Sequence, residues 1–196
     1  MGSEPGELDL VLGEGHVLKL KTDRGVFSAD RVDDGTRLLL SEGPPVARHG
    51  TLVDLGCGYG PIAMALAHRS PDATIWAVDV NERARELCRA NAVANGVAER
   101  VEVIGPDQIP EDLVVDQLWS NPPIRIGKAA LHELLSGWLT RLRPGSGTAE
   151  LVVHKHLGSD SLAAWLDRTG FPTERTLSRG GYRLLRVRSG AGPSPS

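Results

Sequence analysis

The sequence predicts an α/β fold: a doubly wound, mostly parallel seven-stranded sheet with helices on both faces. Three observations predict it. Short apolar runs alternate with longer amphipathic runs, a glycine-rich stretch follows the first core strand, and the chain ends in two strands joined by a tight turn. Strands separated by helices of this length pair in parallel, whereas the tight turn makes one of the last two strands antiparallel.

The individual elements follow from hydrophobic periodicity and from start and stop residues. Predicted strands cover residues 51–56, 73–80, 100–105, 114–120, 148–154, 174–178 and 181–188. Predicted helices cover residues 33–43, 61–70, 81–96, 128–142 and 159–170. Asn81 is the expected N-cap of the third helix and Gly96 its C-terminal stop. The alternating residues between Leu8 and Phe27 predict a short β extension at the front of the domain.

Composition indicates one ordinary globular domain. The 196 residues are 40% hydrophobic and 24% charged, which fits a single domain over residues 8–188, with a mobile segment 1–7 and a disordered tail 189–196. No apolar run approaches the ~20 residues of a membrane span, and the N-terminus lacks a signal-peptide pattern, so a cytoplasmic protein is expected. Cys57 and Cys88 have no metal-ligand partners at the usual spacings, so no metal site is expected.

Charge is unevenly distributed along the chain. The net charge is −3, which argues against a strongly basic nucleic-acid binder. However, residues 1–121 carry 11 basic and 20 acidic side chains, whereas residues 122–196 carry 11 basic and 5 acidic ones. Five arginines lie within residues 175–188, and they indicate either a solvated strand face or an edge that meets phosphates.

The stretch "VDLGCGYGP" (53–61) lies between the first core strand and its helix. The third glycine of a dinucleotide fingerprint would fall at Pro61, and no Gly-Lys-Ser/Thr ending follows, so neither nucleotide loop fits. The Asp-x-Gly-x-Gly-x-Gly spacing resembles the cofactor loop of class I S-adenosylmethionine-dependent methyltransferases. Asp79 ends the next strand, where that resemblance implies a carboxylate that accepts both ribose hydroxyls. After the third strand, Asp107 is expected near the adenine amine, with Pro106 and Gln108 as alternatives.

"SNPPIRIGK" (120–128) follows the fourth strand. Asn121-Pro122-Pro123 resembles the (Asn/Asp/Ser)-Pro-Pro-aromatic motif of methyltransferases that modify amino nitrogens. The Asn121 side-chain oxygen and the Pro122 carbonyl can hold the two hydrogens of an amine, and prolines fix the backbone. Ile124 replaces the aromatic residue of the motif, so stacking there is lost, and Phe27, Trp119 or Tyr182 is left to supply a ring.

Residues 22–40, 121–128 and 180–187 narrow the resemblance to the methyltransferase-small group, which includes the catalytic domains of ribosomal RNA guanine-N2 methyltransferases and single-domain relatives. The resemblance implies S-adenosylmethionine as cofactor and RNA as partner. It places Phe27 and Ser28 over the cofactor pocket and assigns catalysis to Asn121, Pro122 and Pro123. The implied cofactor residues are Phe27, Asp54, Gly56, Cys57, Gly58, Gly60, Asp79, Val80, Asp107, Gln108 and Asn121, and the implied substrate residues are Ile124, Arg125, Lys128, Tyr182 and Arg183.

Three hypotheses remain at this level. The first is methylation of a guanine exocyclic amine in ribosomal RNA. The second keeps the reaction but takes a protein glutamine amide or a small-molecule amine as acceptor, which the acidic net charge and Ile124 favour. The third is a cofactor-binding accessory subunit, against which the retained Asn-Pro-Pro corner argues. His154, Lys155 and His156 receive no role.

Overall fold

The computed structural model describes residues 6–23 and 31–190. The chain begins with the predicted extension, an antiparallel pair of strands β1 (Gly6–Val11) and β2 (Val17–Thr22). Leu18, Leu20 and Thr22 alternate with exposed residues and are buried against the rest of the domain. Alternation with period two therefore fixes which face of this extension packs inward.

The main sheet has seven strands, as the sequence predicts. They are β3 (His49–Leu55), β4 (Asp72–Val78), β5 (Val101–Ile104), β6 (Gln117–Ser120), β7 (Thr148–His154), β8 (Thr173–Arg179) and β9 (Tyr182–Arg188). Their order is β5-β4-β3-β6-β7-β9-β8, and β9 alone runs antiparallel to its neighbours. Gly180 and Gly181 join β8 to β9 with φ of 57° and 86°, the conformation of a two-residue hairpin turn that glycine adopts without strain.

Among the described residues, five α-helices cover the two faces of the sheet: α1 (Asp34–Glu42), α2 (Pro61–Arg69), α3 (Glu82–Ala94), α4 (Lys128–Leu139) and α5 (Ser159–Arg168). Apolar residues of α1, α2 and α3 form one core cluster, and those of α4 and α5 form the other. This division confirms the doubly wound prediction. Helix α2 is buried all along its length from Pro61 to Ala67 because α1 and β2 cover the side that faces away from the sheet.

One buried amide makes three hydrogen bonds that connect the N-terminal strands to the domain. The Asn91 side chain in α3 is fully buried; it accepts from the Lys21 N–H at 2.7 Å and donates to the carbonyls of Lys21 and Tyr59 at 2.9 and 2.8 Å. Tyr59 belongs to the glycine-rich stretch, so Asn91 joins strand β2, helix α3 and that loop.

Replacing Asn91 with Ala should lower the free energy of unfolding by about 2 to 4 kcal/mol, because the partly buried backbone groups of Lys21 and the buried Tyr59 carbonyl lose their partner. Urea denaturation measures this loss. Asn95→Ala is the matched control: Asn95 also bonds the N-terminal extension, at the Lys19 carbonyl, but this hydrogen bond is exposed to solvent. The free energy of unfolding of Asn95→Ala should fall by about 1 kcal/mol or less. Equal losses in the two variants would contradict the role given to Asn91.

Candidate active site

A cavity of about 770 Å³ opens at the carboxyl ends of β3, β4 and β6. Doubly wound sheets place their ligand sites at this edge. The wall includes most of the glycine-rich stretch, the end of β4, and the Asn-Pro-Pro corner. Among the residues predicted from sequence, the cavity is lined by Gly56, Cys57, Gly58, Asp79, Val80, Asn121, Pro122, Pro123, Ile124, Arg125 and Tyr182.

The glycine-rich stretch leads the chain from β3 into α2 through three residues in left-handed backbone conformations. Gly56, Gly58 and Gly60 have φ of 75°, 55° and 93°, values that side chains disfavour. A Cβ at Gly60 would come within 2.6 Å of the Cys88 sulfur, whereas a Cβ at Gly58 would meet nothing within 4 Å. Gly60 is therefore required for packing against α3, and Gly58 leaves bare backbone beside open space.

Asp79 holds the loop from the neighbouring strand. Its Oδ2 accepts from the Gly58 N–H at 2.8 Å, and its Oδ1 accepts from the Asn81 N–H at 2.8 Å. Both oxygens are thus fixed in position, and each keeps lone-pair capacity for a further donor. The carboxylate is half-buried and lines the cavity.

Asp54 lies beneath the loop and does not line the cavity. It is fully buried; its Oδ2 accepts from the Ala63 N–H at 2.8 Å, and its Oδ1 has no partner among the described residues. Burial raises the pKa of Asp54 to about 8, against the lowering effect of the Ala63 hydrogen bond, and the charge of Asp79 raises it further. The carboxyl is therefore predominantly protonated at neutral pH.

The Asn-Pro-Pro corner follows β6 and presents oxygen atoms. Asn121 donates from its amide nitrogen to Asp33 Oδ2 at 2.8 Å and to Thr36 Oγ1 at 3.1 Å. These two bonds use both amide hydrogens. The Ile124 N–H donates to the Pro122 carbonyl at 2.8 Å across Pro123, whose φ of −74° and ψ of 73° are those of an inverse γ-turn. This turn fixes the direction of the Pro122 carbonyl and leaves it a second lone pair.

Asp33 and Thr36 belong to this site, although sequence reasoning did not identify them. Asp33 is the N-cap of α1 and accepts from the Gly35 and Thr36 N–H groups at 2.8 and 3.1 Å. The sequence does give one signal for Asp33: an Asp before an apolar run is typical of a helix N-cap. Its contact with Asn121, 88 residues away, leaves no local pattern.

The structure reduces the number of candidates for the aromatic ring that Ile124 does not supply. Trp119 is fully buried in the core, and Phe27 and Ser28 lie outside the described residues. Tyr182 lines the cavity and packs edge-to-face against His154, with ring centroids 4.9 Å apart. Burial, and then the charges of Asp33 and Asp34, raise the pKa of Tyr182, so its phenol is neutral at ordinary pH.

Of the three residues considered for the adenine side, one lies at the cavity wall. Asp107 and Gln108 are not among the residues that line the cavity, whereas Pro106 is. Gln108 folds back and accepts from the Gly105 N–H at 2.9 Å, which closes the 3-10 turn after β5. Of the alternatives considered from sequence, Pro106 is the one at the wall.

The arginines of the C-terminal hairpin form ion pairs within the protein. Each of its five arginines has an acidic partner: Arg175 and Arg183 pair with Asp160, Arg179 with Glu42, Arg186 with Glu150 and Arg188 with Glu174. Glu150 is itself buried, so Arg186 neutralises a charge inside the sheet. Arg183 does not line the cavity. The structure therefore does not support the expected substrate contact of Arg183 and favours a structural role for this hairpin.

Other basic side chains line or adjoin the cavity. Arg125 lines it from the 3-10 turn after the corner, and Lys128 is exposed at the first residue of α4. Lys155 and His156 are exposed after β7, the strand next to β6. Within the described residues, no group of three or more His, Cys, Asp or Glu could hold a metal ion, and no helix is long and apolar enough to cross a membrane.

Comparison with known proteins identifies relatives of the whole described domain. The family model of the methyltransferase small domain matches residues 17–186. The Bacillus subtilis protein YbxB is 34% identical over 85% of this chain and 84% of its own length. The ribosomal RNA large subunit methyltransferase G of Shewanella amazonensis is 32% identical over 73% of this chain, but the match covers 39% of that enzyme.

A solved structure shows the same fold. The T. thermophilus 16S rRNA N2 methyltransferase RsmC, in complex with AdoMet and guanosine, superposes with a TM-score of 0.80 at 24% identity. The match covers 95% of this chain and 51% of RsmC. The chain thus spans about half of RsmC and about four tenths of the S. amazonensis enzyme.

The buried Asp54 carboxyl predicts a specific pH dependence of stability. Its folded pKa of about 8 lies above the usual value of 3.8, so between those values the folded protein holds one more proton than the unfolded chain. The contribution of Asp54 to the free energy of unfolding therefore falls as pH rises, by up to about 1.4 kcal/mol per unit. Asp54→Asn keeps an acceptor for Ala63 but cannot ionise.

We expect the stability of Asp54→Asn relative to wild type to increase steadily from pH 5 to pH 8. Urea denaturation of both proteins at several pH values measures the difference, in which the titration of other groups cancels. A difference that stays constant across this range would mean that Asp54 is ionised throughout.

Proposed function

The chain belongs to the methyltransferase small domain family and uses S-adenosylmethionine, and we propose that it methylates an exocyclic amine of RNA, with guanine N2 in ribosomal RNA as the acceptor. The proposal has three parts: where the cofactor is held, why the acceptor is an amine, and why the amine belongs to RNA. Each rests on different residues.

The glycine-rich stretch and Asp79 fit the cofactor. A Cβ at Gly56 would lie 3.8 Å from Pro123 Cδ, so a side chain there would fill the space between the loop and the corner. The anchored Asp79 oxygens can accept from two ribose hydroxyls, while Val80 and Pro106 offer apolar surface to the base. When bound, S-adenosylmethionine supplies an electrophilic methyl group on a positively charged sulfur.

The main support for the proposal is that the corner offers hydrogen-bond acceptors to a ligand. Both amide hydrogens of Asn121 are bound by Asp33 and Thr36, so its Oδ1 is the atom left to face a ligand. Prolines at 122 and 123 have no N–H to offer, and the Pro122 carbonyl supplies a second acceptor. A corner whose own residues offer two acceptors and no free donor matches an NH2 group, which has two hydrogens to donate.

This polarity also accounts for reactivity. The lone pair of an exocyclic amine is delocalised into the base, which makes the nitrogen a weak nucleophile. Acceptors that hold both hydrogens orient the nitrogen and stabilise the positive charge that develops on it. The corner acts through positioning and fixed dipoles, so no strong general base is required.

The choice of RNA rests on the relatives and on the charges beside the cavity. Several curated relatives are named ribosomal RNA methyltransferases, including the large subunit enzyme G and the small subunit enzyme C of Shewanella species. Arg125 and Lys128 beside the cavity, with Lys155 on the adjacent turn, can meet phosphates, whereas the five arginines of the hairpin already form ion pairs with four acidic side chains.

A protein glutamine amide or a small-molecule amine is the second acceptor class. It presents the same NH2 group to the corner. Ile124 favours it, because an aliphatic wall at that position gives a base no ring to stack on. The label-transfer experiment below separates the two classes.

The proposal predicts that radiolabel from S-adenosylmethionine enters ribosomal RNA or a ribosomal subunit and does not enter tRNA or protein extract. Asn121→Ala should lower the transfer rate at least about 100-fold, because an acceptor made for the developing charge is lost. Calorimetry should show cofactor affinity within about 3-fold of wild type. Asn95→Ala, far from the corner, is the control. Label in protein alone would favour a glutamine acceptor, and full activity of Asn121→Ala would remove the corner from the mechanism.

RNA binding should weaken as salt concentration rises, with a slope that reports phosphate contacts. Arg125→Ala and Lys128→Ala should each reduce that slope by about one contact, or ~0.7 to 0.9 units in a plot of log affinity against log salt. Arg175→Ala and Arg188→Ala are the matched controls, because both arginines are paired with acids, and they should leave the slope unchanged. A larger effect in the controls would place RNA on the hairpin.

A further inference from the structure

Asp33 lies at the centre of a hydrogen-bond cluster that joins helix α1 to the corner. Its Oδ2 accepts three donors: the Gly35 N–H at 2.8 Å, the Thr36 N–H at 3.1 Å and the Asn121 amide at 2.8 Å. Thr36 Oγ1 accepts the second amide hydrogen of Asn121. Residues 33–36 thus bind every donor that the Asn121 side chain has.

We propose that Asp33 and Thr36 are positioning residues for methyl transfer: they hold the Asn121 amide in the one orientation that directs its oxygen to the acceptor amine. This inference rests on the proposed function, because the amine is the group that Oδ1 would receive. Neither residue is assigned contact with the substrate.

The argument begins with the two orientations of an amide. Rotation by 180° about the last side-chain bond exchanges oxygen and nitrogen at almost no change in shape. With the amide reversed, Asn121 would direct two N–H donors at an amine that also donates. The corner would then repel the substrate it is proposed to hold.

The Asp33 carboxylate makes the reversed orientation unfavourable. An ionised carboxylate only accepts hydrogen bonds, so reversal would bring the amide oxygen to the place where the nitrogen now lies, 2.8 Å from a negatively charged oxygen. Thr36 holds the amide nitrogen but discriminates less between the two orientations. Its hydroxyl could donate to a reversed amide, which is why the carboxylate has the larger effect of the two.

The carboxylate is itself held in place. Two backbone N–H groups at the start of α1 bind it, and the positive end of the helix dipole favours its charge. A Cβ at Gly35 would come within 2.9 Å of Asp33 Oδ2 and 2.8 Å of the Tyr182 ring. Glycine at 35 therefore lets Asp33, α1 and Tyr182 approach closely enough for the carboxylate to reach Asn121.

Three substitutions separate positioning from helix capping. Asp33→Ser keeps a good N-cap but is too short to reach Asn121, and its kcat should fall about 10- to 100-fold, the scale of a hydrogen bond to a charged group. Thr36→Val should lower kcat about 3- to 10-fold. Asp33→Asn keeps the cap and an acceptor oxygen, but its own amide can also donate to a reversed Asn121, so its kcat should lie between those of wild type and Asp33→Ser. KM and cofactor affinity should change less than 3-fold in all three.

Asp34→Ser is the matched control. Asp34 is the next residue, lies in the first turn of α1 and pairs at the surface with Arg31. Its kcat should equal that of wild type. An equal loss in Asp34→Ser and Asp33→Ser would show that general damage to the start of α1 lowers the rate, and would overturn the proposal.

The decisive comparison is made in the Asn121→Ala background. If Asp33 acts through Asn121, adding Asp33→Ser to Asn121→Ala should leave the residual rate unchanged, because the amide that Asp33 positions is already absent. A further 10-fold loss in the double variant would mean that Asp33 acts on the substrate or the cofactor directly.

A measurement without activity separates this inference from the proposed function. In a proton–nitrogen correlation spectrum, the Asn121 side-chain NH2 is the pair of signals missing from Asn121→Ala. Its hydrogen exchange should be slow in wild type and at least 10-fold faster in Asp33→Ser. If wild type labels no acceptor but this pattern holds, the proposed function fails, whereas the positioning of Asn121 by Asp33 is supported. Fast exchange in wild type would show that Asp33 does not hold the Asn121 amide.

Discussion

Parallel pairing of β3 with β6 is the constraint on which the candidate site depends. Their register aligns Val53 with Leu118 and Asp54 with Trp119, so both strands end at the same edge of the sheet. The glycine-rich stretch leaves β3 there, and the Asn-Pro-Pro corner leaves β6. Because β4 pairs on the other side of β3, Asp79 reaches the same place, and the ends of these three strands meet at one cavity.

Given that placement, hydrogen-bond polarity decides what the site can do. On the glycine side, Asp79 binds the loop backbone and keeps acceptor capacity for hydroxyls. On the corner side, the amide nitrogen of Asn121 is bound, and its oxygen and the Pro122 carbonyl remain. Two acceptors with no donor select an amine over a carbonyl group, and over a hydroxyl, which has only one hydrogen.

Much of this arrangement could be predicted from the sequence, because it depends on local patterns. Periodicity predicts the order of strands and helices, and spaced glycines predict the turn after β3. Contacts between distant segments have no such pattern. The Asp33–Asn121 bond joins residues 88 apart, and the ion pairs of Arg179 with Glu42 and of Arg183 with Asp160 join separate elements. A run of arginines therefore resembled a phosphate-binding edge until the partners of its side chains were known.

The central claim is that the corner receives an amine, and the chemical position of the transferred methyl group tests it most directly. RNA labelled by the wild-type protein can be digested to nucleosides and analysed by mass spectrometry. The account predicts methyl groups on an exocyclic nitrogen, with N2-methylguanosine as the product. Methyl groups on a ribose 2′-oxygen or a ring carbon would contradict it, because neither acceptor has two hydrogens for the corner to hold.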